Sequence, residues 1–527
     1  MCAVALSLVA TIVFLSQSAI KQAASRSAQP EQWGDEVPSP TFDPPDEIIK
    51  DLAGHAWSQL ETAIQASAKE NDTLVVWIVD RTASMSARRL ELADRITKTF
   101  GDQPSGSQHK LQHSIISFAR GGGASRRQPT TTANDAATQI REIADDYYGD
   151  EFVMGAVNSI SFRLMTGWKQ AFSDWNCIAV VATDERGDDF NMAEDVARQC
   201  VKMNVRVFCL GNASPFGTEK GYVRYKYADG FQVDVPVNLG PETIEFQTVV
   251  APTLMAPTIE PTQVSSSFGP YGLELLCRKT GGEFLIYEDK APHRFSRNLM
   301  TEYVPDYTSR SEFEKAIREN RARMALTEAA VLSRSYSRIR SKLRFRADSH
   351  NALRVSLTEC QKACAVVSQR TVKLISLLER GSSVRERLQG KRWQASYDLA
   401  MGQATAVQAR ILALNIRMAT MKVKPINCEI PGNNTWVIEP ARGTDTDIPF
   451  VAKIVAKSNR FLARVVREHP GTPFAFIAKC ELERGVCWKW RESKSMWKDV
   501  RKMSPILINP IHQPKRKFTP RRRNVEL

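Results

Sequence analysis

The chain lacks the commonest sequence signatures of an enzyme. It contains no Gly-x4-Gly-Lys phosphate loop, no His-Glu-x2-His helix and no Gly-x-Ser-x-Gly elbow, which argues against nucleotide hydrolysis, zinc proteolysis and serine hydrolysis. Its 7 histidines are scattered and suggest no nucleophilic triad. Gly121-Gly122-Gly123 follows a strand-like run but lacks the lysine and helix pattern of a nucleotide site, so it reads as a plain loop. The 10 cysteines are spaced neither as a disulfide framework nor as a zinc site. Cys177 and Cys209 fall in apolar strand-like runs, as small buried side chains do. Cys360 and Cys364, four apart on an expected helix, share a face but cannot supply four tetrahedral ligands. Cys480 and Cys487 are the pair expected to bridge if any does.

What is present is ordinary globular material: 43% hydrophobic and 25% charged residues exclude a wholly disordered, collagen-like or polytopic membrane chain. At 527 residues, two or three globular units are expected. The net charge of +14 is unevenly placed, because residues 310–424 hold 24 basic against 9 acidic side chains. Such a segment suits either a solvated helical surface or an anionic partner: an envelope polymer, a membrane surface or nucleic acid. Arg334, Arg338, Arg340, Lys342, Arg344 and Arg346 carry the nucleic-acid reading, which no recognised motif supports.

Residues 1–24 read as a signal peptide or membrane anchor, with an apolar heart of 14 residues from Cys2 to Leu15. No Lys or Arg precedes this run, whereas Lys21 and Arg26 follow it, so cleavage and orientation both stay open. The expected location is membrane-associated or exported to the cell envelope. Residues 25–69 form a linker rich in Pro, Ser and acidic side chains, followed by a short helix. Across 70–290, strand-like runs at 73–80, 111–118, 177–184, 205–211 and 284–287 alternate with helix-like stretches at 88–100, 134–147, 152–165, 193–203 and 273–279. That alternation predicts an α/β fold with a doubly wound, mostly parallel sheet.

An insertion at 212–266 interrupts the rhythm. Residues 221–227 and 231–237 flank Ala228-Asp229-Gly230 and predict a β-hairpin at the sheet edge where ligands bind, with Tyr222, Tyr225, Tyr227 and Phe231 available as contact surface. Residues 308–425 predict a basic helical region of three helices, broken near Asp348 and Gly381. Residues 426–505 predict a small domain built on two helices, at 450–468 and 472–483, joined by His469-Pro470-Gly471. Residues 506–527 form a basic tail with the composition of a disordered segment.

The most specific motif is Val75-Val76-Trp77-Ile78-Val79-Asp80-Arg81-Thr82-Ala83-Ser84, an apolar strand that ends in Asp-x-Thr-x-Ser. One carboxylate and two hydroxyls on one strand-to-helix loop make a half-site for a hard divalent cation. The same residues also suit capping of the following helix. A second strand ends in Thr183-Asp184 and, as a parallel neighbour, would bring Asp184 to the same edge.

These residues resemble the von Willebrand factor type A (VWA) domain and its metal-ion-dependent adhesion site. The resemblance covers roughly residues 72–289, whose end, Phe268-Gly269-Pro270-Tyr271 and Thr280-Gly281-Gly282, looks like the last helix and strand of that Rossmann-like fold. It implies that Asp80, Thr82 and Ser84 hold Mg2+, or Mn2+ or Ca2+, with Asp184 as a water-mediated partner. Where the family offers a threonine, this chain places Glu151 beside Asp150, and Glu185 stands where a glycine commonly follows the aspartate. Extra carboxylates tighten cation binding and can also fill the position of a ligand's acidic group.

The segment from Arg464 to Ala475 looks like a degenerate tetratricopeptide unit, and the whole layout is similar to large bacterial envelope proteins. The expected function is a non-enzymatic VWA protein that grips a protein partner, with an acidic side chain at the metal as one means of doing so. The alternatives are a cytoplasmic-side accessory subunit of an ATP-driven chelatase or remodelling machine, and a binder of anionic polymers or nucleic acid.

Overall fold

The computed structural model describes residues 49–101, 109–119, 128–146, 151–226, 232–255, 259–337, 339, 341–441 and 448–496. The apolar N-terminus, the acidic linker, the triple-glycine loop, Asp150, the hairpin turn at 228–230, Arg338, Arg340 and the basic tail lie outside these residues.

Strand β1 (Thr73–Asp80) is buried at all 8 positions, as a central strand covered on both faces must be. Leu74, Val76 and Ile78 enter one core and Val75, Trp77 and Val79 the other, following the two-residue period of a strand. Further strands are β2 (Leu111–Phe118), β3 (Asn176–Ala182), β4 (Val205–Asn212), β5 (Lys220–Lys226), β6 (Gln232–Asn238) and β7 (Phe284–Glu288). Five of them form one sheet in the order β2-β1-β3-β4-β7, and every pair is parallel. Helices α1 (Leu52–Glu70), α2 (Ser86–Phe100) and α3 (Ala133–Arg141) supply the core on the Trp77 side. Helices α4 (Val153–Met165), α5 (Ala193–Lys202) and α6 (Tyr271–Lys279) supply the other. The sheet is thus doubly wound. Strand order runs outward in opposite directions from β1, which opens a crevice beyond the carboxyl ends of β1 and β3.

Two boundaries differ from the sequence pattern. Strand β3 stops at Ala182, so Thr183 and Asp184 belong to the loop beyond it. Helix α3 stops at Arg141 rather than near 147 because the chain turns back to β1's exit: the Asp146 amide donates to Arg81 O at 2.8 Å and the Ala83 amide to Asp146 O at 3.2 Å.

The expected hairpin is present, β5 pairing antiparallel with β6 with Tyr222 opposite Pro236. Beyond it the insertion is sewn to the helical region. Buried Glu242 ion-pairs with buried Arg392, the Val250 amide donates to Ser333 Oγ at 3.0 Å, and Arg334 donates to the carbonyls of Gly217 and Thr248. The region 308–425 holds four helices rather than three: α7 (Arg310–Glu319), α8 (Arg321–Arg334), α9 (His350–Glu379) and α10 (Lys391–Val423). The extra break is at Asn320, whose side chain accepts from the Ala322 and Arg323 amides and starts α8 afresh. Helix α10 is the axis, with buried side chains on every face. Cys360 and Cys364 are both buried on α9.

Helices α11 (Pro449–Glu468) and α12 (Pro473–Arg484) follow, and Gly471 between them takes a φ of +71° that favours glycine. Unexpected from the sequence is a small antiparallel sheet of β8 (Arg344–Arg346), β9 (Thr435–Ala441) and β10 (Cys487–Ser493), ordered β10-β9-β8. No disulfide joins Cys480 to Cys487. After Gly485 the chain leaves α12 and commits Cys487 to the ladder opposite Ala441. The described residues belong to one compact unit. Among them no helix is long and apolar enough to cross a membrane.

Candidate metal centre

Asp80 ends β1 with its side chain fully buried. Its Oδ1 accepts from the Thr82 amide and from Thr82 Oγ1, each at 2.7 Å, and its Oδ2 accepts from Thr183 Oγ1 at 3.0 Å. Thr82 Oγ1 lies 3.1 Å from Ser84 Oγ, which donates to Asp184 Oδ1 at 3.2 Å. A continuous chain of oxygens therefore runs from the end of β1 to the loop after β3. Arg89 fixes the turn by donating to the Asp80 and Thr82 carbonyls at 3.0 and 2.9 Å. Asn212, at the end of β4, donates to Asp184 O at 3.2 Å.

Glu151 reaches this chain from a third loop. One oxygen from each of Asp80, Glu151 and Asp184 lies within 4.8 Å of the other two. Glu151 is only 1% exposed, and among the described residues neither of its carboxylate oxygens has a hydrogen-bond partner. Buried polar groups are nearly always satisfied, and a buried carboxylate without a donor is costly, so this orphan could accept a positive group. No sulfur or imidazole belongs to the cluster, and an all-oxygen donor set suits a hard cation such as Mg2+, Mn2+ or Ca2+.

Three further carboxylates crowd the same edge. Asp188 Oδ2 accepts the Glu151 amide at 2.9 Å, and Asp189 accepts the Met154 and Gly155 amides at 3.0 and 2.7 Å, at the positive end of α4. Glu185 accepts the Asn238 amide at 3.0 Å. Among the described residues, no Lys or Arg ion-pairs with any of the six. Arg88 goes to Glu288 and Asn212 at 2.6 and 2.7 Å, Arg89 goes to Asp145, and Arg186 goes to Glu219 at 2.5 Å.

Burial and crowding make several of these carboxyl groups give up their protons less readily than usual. Burial, then the charge of Asp184, pushes Asp80 up to about 6 despite the donors on Thr82 and Thr183. Burial and the neighbouring carboxylates, Asp80 foremost, push Glu151 well above its ordinary range. Burial likewise lifts Glu185 to about 8, against the pull of the Asn238 amide. A divalent ion held there would favour the charged forms and so oppose each shift.

The structure brings together all five residues singled out from the sequence, Asp80, Thr82, Ser84, Asp184 and Glu151. Sequence reading missed Thr183, Arg89 and Asn212, which orient them. It also missed the tie between Asp188 and Glu151, for which Gly187 was the available signal. Gly187 takes a φ of +81°, and a Cβ there would stand 2.7 Å from Val153 Cγ2, so the loop closes against α4 only with glycine. Comparison with protein-family models and with curated proteins finds no match for the chain.

Proposed function

We propose that the chain is a non-enzymatic interaction protein of the VWA kind. A divalent cation, Mg2+ or alternatively Mn2+ or Ca2+, held by Asp80, Thr82, Ser84, Asp184 and Glu151 orders the C-terminal edge of its sheet for a protein partner. The observation that carries this reading is the buried, unpartnered Glu151 carboxylate within 4.8 Å of oxygens on Asp80 and Asp184. The strand order supports it, because in open parallel sheets ligands bind outside the carboxyl ends of the strands where the order reverses.

The hairpin β5–β6 is fastened beside this edge and offers Tyr222 at 53% exposure. Three buried arginines of the basic region are used internally. Arg385 pairs with Asp398 and Glu468, Arg392 with Glu242, and Arg410 with Glu481. Placement at the cell envelope rests on the apolar N-terminus alone.

The test is a thermal titration of the whole chain with Mg2+, Mn2+ and Ca2+ against an EDTA blank, since an ion that binds only the folded state raises its stability. The rise should vanish in the Asp80→Ala/Asp184→Ala protein. An undiminished rise in that variant would remove the site.

A further inference from the structure

We propose that Glu151 is a direct third carboxylate ligand, so that this chain's own side chains leave the bound ion a single water position, which excess negative charge closes to an acidic group from outside. The proposal rests on the cation reading above and concerns what the loaded site can accept.

Glu151 is placed rather than loosely tethered. Its amide donates to Asp188 Oδ2 at 2.9 Å and its carbonyl accepts from the Asp188 amide at 2.7 Å. Two residues later α4 begins, with its first turn held by Asp189 and its first residue, Val153, packed in the core. Backbone bonds on one side and a helix on the other leave the side chain pointing to Asp80 and Asp184, with both oxygens free of protein donors.

A donor count gives the consequence. Asp80, Glu151 and Asp184 supply carboxylates and Thr82 and Ser84 supply hydroxyls, so a six-coordinate ion is completed by a single water. Three negative ligands already exceed two positive charges, and Asp188, which accepts the Glu151 amide, and Glu185 on the loop after Asp184 add more negative charge beside them. An incoming carboxylate would meet net repulsion at a buried ion. The partner is therefore recognised by neutral or cationic groups at the rim, and the ion acts as an internal cross-link of three loops.

Water-proton relaxation of the Mn2+-loaded full chain reads this directly, because it counts waters on the ion. Wild type should carry about one such water and be insensitive to added acetate. Glu151→Ala should gain at least one water, lose about tenfold or more in Mn2+ affinity, and acquire a relaxation decrease on acetate addition. Glu151→Gln, which keeps the shape, should show the affinity loss without needing a cavity. Equal hydration and equal affinity in all three proteins would overturn the role of Glu151 while leaving the cation site standing. Absence of Mn2+ binding by wild type at millimolar ion would overturn the cation reading itself, and this inference with it.

Discussion

The amide of Asn238 donates to the Glu185 carboxylate at 3.0 Å, and the Arg186 amide donates back to the Asn238 carbonyl at 2.9 Å. This clamp fastens the foot of the β5–β6 hairpin to the loop that carries Asp184. Glu185→Ala should loosen it, and faster hydrogen exchange at Asn238, with no change along β1, is the expected signature. Unchanged exchange at Asn238 would mean that the Arg186 bond alone holds the foot.

The hairpin is not a freestanding rim, since Val235 and Val237 on β6 are buried. Excising residues 221–237 should cost several kcal/mol, on the scale of about 2 or more per buried aliphatic side chain removed. Tyr222→Ala is the cleaner probe of recognition. Its unfolding free energy should stay within about 0.5 kcal/mol of wild type, as measured by urea, because the side chain is largely exposed.

Glu151 costs the ion-free fold stability. Its pKa is raised in the folded state, so the folded chain binds the proton more tightly than the unfolded one, and the cost appears as pH rises above the unfolded value. Glu151→Gln should therefore melt higher than wild type in EDTA at pH 7, by about 1 kcal/mol or more in unfolding free energy. The order should reverse in saturating Mg2+. A variant less stable than wild type in EDTA would show that Glu151 has a stabilising partner.

His113 is buried against Trp77, whose Nε1 donates to His113 Nδ1 at 3.2 Å, and burial lowers its pKa to about 4. The unfolded chain then binds the proton more tightly, so this residue's contribution is complete above about pH 6.5 and is lost as pH falls toward 4. Between pH 7 and pH 5 the loss should be about 2 kcal/mol. The readout is the difference in urea stability between wild type and His113→Phe at the two pH values, which cancels the opposite contribution of the raised carboxylates. A difference independent of pH would show that His113 titrates normally.

Arg392 and Glu242 are buried against each other where the insertion meets α10. Arg392→Met should cost about 3–5 kcal/mol by leaving a carboxylate buried alone, and adding Glu242→Gln should return part of it. Equal losses in the single and double variants would show that the pair is not coupled.

The parallel sheet and the site were largely legible because their signals are local. β1 announces itself by an unbroken apolar run, and Asp80, Thr82 and Ser84 follow it within one loop. Glu151 was reached only through the position at which the VWA resemblance expects a threonine. The orienting groups were not, since Thr183 acts on Asp80 from 103 residues away, Asn212 reaches Asp184 from the end of the neighbouring strand, and Asn238 acts through a hairpin. The β8–β9–β10 sheet was invisible for the same reason, as Arg344–Arg346 is three residues long and pairs with Thr435–Val437. One asparagine, Asn320, split a helix that periodicity alone ran together.

Helix α1 precedes the first strand of the sheet yet belongs to it: Trp57 stacks on Trp77 with ring centroids 6.1 Å apart and donates to Thr99 Oγ1 at 2.9 Å, and Leu60 and Ile64 are fully buried. A piece cut at residue 70, where composition suggests a boundary, would bare a tryptophan and the apolar floor beneath it. The transplantable module begins upstream of Leu52. A fusion or recombination joint placed between α1 and β1 would yield a sticky fragment, whatever its metal chemistry.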